Sequence, residues 1–120
     1  MNKWLVTTDA FQRAAFDTDV STLERGALAD YLLYNLAAAH DEISEMSAEI
    51  GWKPWDTKRG WVNQNRVLEE AVDVLMFLGN ILIAAGLTDH QVSQALTDKR
   101  ERVLERQAAG RYTGRHHQDD

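Results

Sequence analysis

The chain has 120 residues, a formal charge of −6, one proline and no cysteine. That length suits one compact domain with a real core, and the missing cysteines remove disulfides, thiolate metal sites and a cysteine nucleophile together. The acidic balance argues against a general binder of nucleic acid or anionic membrane, although basic residues gather at both ends of the helical core. Strand formers are scattered while Ala, Leu, Glu, Arg and Gln dominate, so the fold class reads as all-α. The N-terminus lacks a basic region followed by an apolar stretch and a small-residue cleavage site, so no secretory signal is expected.

In chain order, Thr8 to Phe16 predicts a short first helix capped by Thr8 or Asp9 and ended by Asp17-Thr18-Asp19. Ser21-Thr-Leu-Glu24 has the form of a capping box, opening a helix of up to about 29 residues that Gly51 stops. Leu32, Leu36, Ala39, Ile43, Met46 and Ile50 alternate by four and three, the seam of a helix packed in a bundle. The loop from Gly51 to Trp61 concentrates Trp52, Trp55 and Trp61 with Lys53, Lys58 and Arg59, and Pro54 keeps a helix from running through it. A third helix is expected from Asn63 or Gln64 to Ala85, ended by Gly86. Its run from Val74 to Leu87 is apolar apart from Asn80, too short at about 14 residues to cross a bilayer. Such all-round apolarity is best explained if a second subunit covers one side. Thr88-Asp-His-Gln91 caps a fourth helix that continues to about Ala109, with a basic segment from Lys99 to Arg106. Residues 1–112 make one domain, and 113–120 read as a frayed polar tail.

Chemistry enters with two acidic motifs, Asp41-Glu42-Ile-Ser-Glu45 and Glu69-Glu70-Ala-Val-Asp73. Residues three apart on a helix project side by side, so each helix offers a carboxylate pair, and antiparallel packing brings four carboxylates together. Glu70 and Asp73 share a face with Val67, Val74, Phe77 and Ile81, where ionised groups are costly without a counter-charge. Arg66 is the sole basic residue between Gly60 and Asp98, and no Lys or Arg is expected on that face, so a metal ion is the simplest counter-charge. An all-oxygen ligand set without Cys or a Glu-x-x-His spacing favours Mg²⁺ or Mn²⁺ over zinc or iron. The surplus charge suggests two or more ions, with an anionic substrate completing their shells. A polyphosphate fits, its remaining oxygens going to cations such as Lys53, Lys99, Arg102 and Arg106, with Trp52 and Trp55 as a stacking surface for a nucleobase. No Gly-rich phosphate loop is present.

The pattern Asp41-Glu42-x-x-Glu45, a gap, then Glu70-x-x-Asp73 resembles the all-α nucleoside triphosphate pyrophosphohydrolases, the group of MazG-like proteins and dimeric dUTPases. The similarity spans roughly residues 30 to 112. The Trp52-Lys53-Pro54-Trp55 loop, and Lys99 followed by Arg106-Gln107-x-x-Gly110 with Tyr112 nearby, pull it toward the dUTPase branch and its short phage-type relatives. The resemblance implies a four-to-five-helix bundle, oligomeric as a homodimer or homotetramer, hydrolysing a nucleoside triphosphate to monophosphate and diphosphate in the cytoplasm, or in a host's cytoplasm if phage-encoded. It implies Glu42, Glu45, Glu70 and Asp73 as Mg²⁺ ligands, with Glu42 and Glu45 the catalytic pair and Glu42 placed to orient or deprotonate the attacking water. Lys53, Lys99 and Arg106 would hold phosphates, and Gln12 and Asn35 would contact the base. Asp41 stands where the family motif has Glu, and Arg100 and Val103 where the dUTPase branch usually has Asn. The base stays open among dUTP, dCTP and a purine dNTP such as dGTP.

Other readings compete at several positions. Trp52 and Trp55 are either a base platform or a hydrophobic lid; Lys99 to Arg106 either contacts phosphate or is an exposed face; Asn80 either touches substrate or sets helix register. For the whole chain the competing reading is a non-catalytic helical oligomerisation or regulatory module, with a di-iron carboxylate protein disfavoured by the missing histidines.

Overall fold

The computed structural model describes residues 3–110; the expected tail at 113–120, with Arg111 and Tyr112, lies outside them. The element order is α1 (Trp4–Phe16), a 3-10 turn (Val20–Thr22), α2 (Arg25–Ser47), α3 (Gln64–Ala84) and α4 (Asp89–Ala108), and the fold is all-α as the composition implied. Among the described residues no single helix is long and apolar enough to cross a membrane.

Helix α1 starts at Trp4, earlier than expected, and Thr8 is a buried residue within it rather than its cap. The N-terminus of α1 is satisfied from a distance: the Asp89 carboxylate accepts from Leu5 N at 2.8 Å and Val6 N at 3.1 Å. These are donors that every helix start leaves without intrahelical partners. Asp17, in the left-handed region at φ 52°, ends α1. The expected capping box at Ser21 does not form, because Asp19 Oδ1 takes the Ser21 backbone N–H at 3.0 Å and its hydroxyl at 2.6 Å. Glu24 caps α2 instead, accepting from Ala27 N at 2.7 Å and Gly26 N at 3.1 Å.

Helix α2 stops at Ser47 after 23 residues, short of Gly51. Gly51 serves the loop: its N–H donates to Trp61 O, its carbonyl accepts from Gly60 N, and a Cβ there would run into the Lys58 carbonyl. With the antiparallel bridge between Ile50 and Val62, these bonds close the tryptophan loop on itself. Asn63 caps α3 by accepting from Arg66 N, and Thr88 and Gln91 form the expected capping box of α4.

Asn35 meets Asn80 and Glu49 lies beside Arg66, so α2 and α3 run antiparallel, and they form the main helix pair of the chain. Helix α1 crosses α3 at Gly79, where a Cβ would stand 3.2 Å from the Trp4 indole nitrogen and 3.4 Å from Thr8 Cγ2. The Trp4 indole N–H donates to Leu75 O at 3.2 Å, which makes Trp4 a packing anchor. Helix α4 turns away from α3 by 108° and packs chiefly on α1.

The interior is small. Among the described residues Leu5 is the hydrophobic residue fully buried, while Leu33 is 66% and Leu68 64% exposed. The predicted α2 seam is split: Leu32, Ala39, Met46 and Ile50 are half-buried, and Leu36 and Ile43 face outward. The inward row of α2 carries Asn35 and Glu42, one heptad apart, so polar groups fill positions that periodicity gave to carbon. The radius of gyration is 18.0 Å, against about 14 Å for a compact chain of this length.

Asp89→Ala leaves two backbone donors of α1 without partners and is expected to lower stability by about 1–3 kcal/mol. Urea unfolding followed by circular dichroism measures this; an unchanged midpoint would show that water replaces the carboxylate without loss.

Candidate functional site

Glu42 and Glu45 lie one turn apart on α2, and Glu70 faces them from α3. One carboxylate oxygen from each lies within 4.8 Å of the others. Burial is graded: Glu70 is 4% exposed, Glu42 half-buried and Glu45 exposed. Glu42 Oε2 is shut off from solvent without a hydrogen-bond partner. Asp73 is exposed and stands outside this triad, though its charge still acts on Glu42.

Three carboxylates this close cannot all ionise at their ordinary pKa values. The Glu42 carboxyl is pushed up to about 7, first because only its protonated form can hydrogen-bond Glu70, then by burial, then by the charges of Glu45, Glu70 and Asp73. Glu45 is also raised, by burial first and then by Glu70 and Asp41, against an opposing pull from Arg66.

The expectation that no cation reaches the buried face of α3 is corrected here. Arg66 places its guanidinium 3.1 Å from Glu70 Oε1 and 2.7 Å from Glu69 Oε1, with Glu49 at 4.0 Å. The arginine lies one turn before Glu70, at the i, i+4 spacing that makes side chains neighbours on a helix, and its long stem carries the charge onto the carboxylate. One guanidinium shared among three glutamates does not balance Glu42 and Glu45 as well. The triad therefore keeps an excess of negative charge, and its oxygen-only donors with an orphaned Glu42 Oε2 fit a hard divalent cation such as Mg²⁺.

At the other end of the α2–α3 seam is a cavity of about 360 Å³. Gln12, Asn35 and Asn80 supply amides and Thr18 a hydroxyl, while Phe16, Tyr31, Tyr34 and Phe77 are its aromatic walls. The structure thus brings Gln12 and Asn35 together from α1 and α2. The aromatic walls were not singled out in the sequence, although Phe77 lies two turns beyond Glu70 on the inner row of α3.

Trp52 and Trp55 do not line that cavity; they are 54% and 76% exposed. They flank Lys53, whose Nζ lies 5.8 Å and 6.0 Å from the two ring centroids, within cation–π range. Their loop joins α2 to α3 at the carboxylate end of the seam. Lys99, Arg102 and Arg106 occupy the outer half of α4, where Arg102 and Arg106 share a surface depression with Glu105 and Ala109. At a rise of 1.5 Å per residue, Glu70 lies about 20 Å from the end of α3, and Arg106 about 25 Å along α4 beyond the bend. Within one chain the basic end of α4 and the triad are therefore not neighbours.

Because the folded-state pKa of Glu42 lies above its usual 4.5, the folded chain binds a proton that the unfolded chain has released, and stability falls as pH rises between these values. Metal-free protein is expected to melt at a higher temperature at pH 6 than at pH 8, and Glu42→Gln to flatten this slope. A thermal scan in chelator across that window checks it; an identical slope in the variant would remove Glu42 as the cause.

The sequence model of the family described as dUTPase matches residues 12–112, which takes in Gln12, both acidic motifs, the tryptophan loop and the basic part of α4. Searches of curated proteins and of solved structures returned no match. The family match over most of the chain and the helical architecture agree, and the chain belongs to the all-α dUTPase family of nucleotide pyrophosphohydrolases.

Proposed function

We propose that the protein is a Mg²⁺-dependent deoxynucleoside triphosphate pyrophosphohydrolase, converting dNTP and water to dNMP and diphosphate, with dUTP the first substrate to test because of the family. The observation carrying this reading is the Glu42, Glu45 and Glu70 triad with its unpartnered Glu42 oxygen. In this reading Glu42, Glu45 and Glu70, joined by Asp73 through a rotamer change, hold Mg²⁺, and more than one ion suits their charge. Bound Mg²⁺ would neutralise triphosphate oxygens and make water more acidic. Glu42 orients the attacking water and accepts its proton. Arg66 holds Glu70 in place from the side away from substrate. Gln12 contacts the base in the cavity, Asn35, 1% exposed and engaged by Tyr31 and Asn80, supports that pocket from behind, and Trp52 and Trp55 cover the carboxylate end as a lid with Lys53 directed to phosphate.

Lys99, Arg102 and Arg106 join this scheme through a second copy of the chain. Support comes from the bend that carries α4 away from its own triad and from the exposed apolar residues Leu68, Val72 and Leu75 on α3 and Leu33, Leu36 and Ile43 on α2. Patches of that kind mark subunit contacts. A homodimer or homotetramer would bury them and bring a neighbour's α4 toward the carboxylates. The competing reading, a non-catalytic oligomerisation module, draws on the same apolar faces and on the Arg66 pairing of Glu70; it expects Glu70→Ala to leave metal affinity unchanged.

Incubating each dNTP with protein and Mg²⁺ is expected to yield monophosphate and diphosphate, and Glu42→Gln to slow this by on the order of 10²–10⁴-fold with the helical signal retained. No turnover of any nucleotide would reject the proposal. For the contribution in trans, Glu70→Gln and Arg106→Ala chains, each inactive alone, are expected to recover activity when co-assembled. Continued inactivity of mixed oligomers, verified by mass, would place both residues' work within one chain.

A further inference from the structure

Asn80 interrupts the apolar run of α3, and its side chain takes part in a relay with a fixed direction. Asn35 Nδ2 donates to the Tyr31 carbonyl at 2.8 Å, and Asn80 Nδ2 donates to Asn35 Oδ1 at 2.9 Å. A backbone carbonyl only accepts, so Asn35 must turn its amide nitrogen toward Tyr31 and its oxygen toward Asn80. Asn80 must then spend an N–H on Asn35. Rotating either amide by half a turn would set two oxygens against each other. The relay leaves Asn80 Oδ1 shut off from solvent and without a donor, on a residue that is 4% exposed. An orphaned buried acceptor costs free energy, and apolar replacement of both partners would avoid that cost.

The space beside it is the cavity that Asn80 lines with Gln12, Tyr34 and Phe77. Asn80 lies about 15 Å along α3 from Glu70 by helical rise, a span that an extended nucleoside triphosphate covers. We propose that Asn80 is a base-selecting residue, its Oδ1 accepting the ring N–H of a nucleobase that enters this cavity after a small shift of the side chain, with Asn35 as the positioning residue that holds the acceptor in that sense. The inference rests on the nucleotide reading above and adds to it the donor that the buried edge of the base must carry. A polar site left unpaired discriminates strongly against a ligand lacking the matching group. Register-setting between α2 and α3 accounts for the Asn35–Asn80 bond alone; it leaves the free oxygen unexplained.

Titration calorimetry with deoxyuridine and N3-methyldeoxyuridine tests this without engaging the carboxylates, since neither probe carries phosphate. Wild type is expected to favour deoxyuridine by about tenfold or more, and Asn80→Ala to bind both probes alike. The Asn35→Leu, Asn80→Leu double variant removes the relay with both its partners, guards against misfolding of the single variant, and is expected to lose the preference too. Equal affinity of wild type for the two nucleosides, no binding of either, or a preference that survives in the folded variants would overturn the proposal. The underlying reaction is judged separately: dNTP turnover without a base preference dependent on Asn80 would keep the chemistry and remove this role.

Discussion

Repulsion among carboxylates across the α2–α3 seam is the constraint on which the rest of the site depends. Glu42 and Glu70 occupy inward rows that a two-helix pair would ordinarily fill with carbon, and Arg66 reaches only the α3 partner. Helices α2 and α3 stay together through their own long contact, while α1 braces α3 at Gly79 and Asp89 ties the start of α1 to that of α4. The scaffold around the triad is thus held by the rest of the α2–α3 contact and by α1, at positions away from the acids. This separation lets a costly charge cluster persist in a chain with little buried carbon of its own.

The same economy explains the outward faces. A chain of this length has apolar residues enough for a core, yet the described helices leave many of them in the open while glutamate and asparagine take the interior row. Helix α4 adds length without closing the bundle. Apolar faces on α2 and α3 are thus left uncovered, while the interior these two helices share is polar.

Much of this was legible in the sequence where the signal is local. The Thr88–Gln91 box, the start of α3 at Gln64 and Gly86 are set by short-range signals, and they fall where the residues indicate. Glu42, Glu45 and Glu70 follow from three-residue spacing on two helices. The rest depends on which elements meet. The acceptor for the first N–H groups of α1 is Asp89, more than eighty residues away, so Trp4 as a helix start has no local mark. Ser21 was a sound cap by composition and lost to Asp19, a nearer acceptor. The α2 seam drifted by part of a turn because periodicity counts apolar side chains, whereas two polar ones were placed inside. Arg66 was misjudged because its i, i+4 relation to Glu70, which makes the two side chains neighbours, was passed over when the face was read as lacking a cation. Asp73 shares the face of Glu70 in projection, yet it is exposed and stands outside the triad.

The two ends of the seam also differ in what can disturb them. The acid end exchanges protons near neutrality and its charge follows the solution. The amide end takes its polarity from the main-chain oxygen of Tyr31, passed through groups that neither gain nor lose a proton in water. Acidification that alters the charge of one end therefore leaves the polarity of the other as it was, although a single pair of helices carries both.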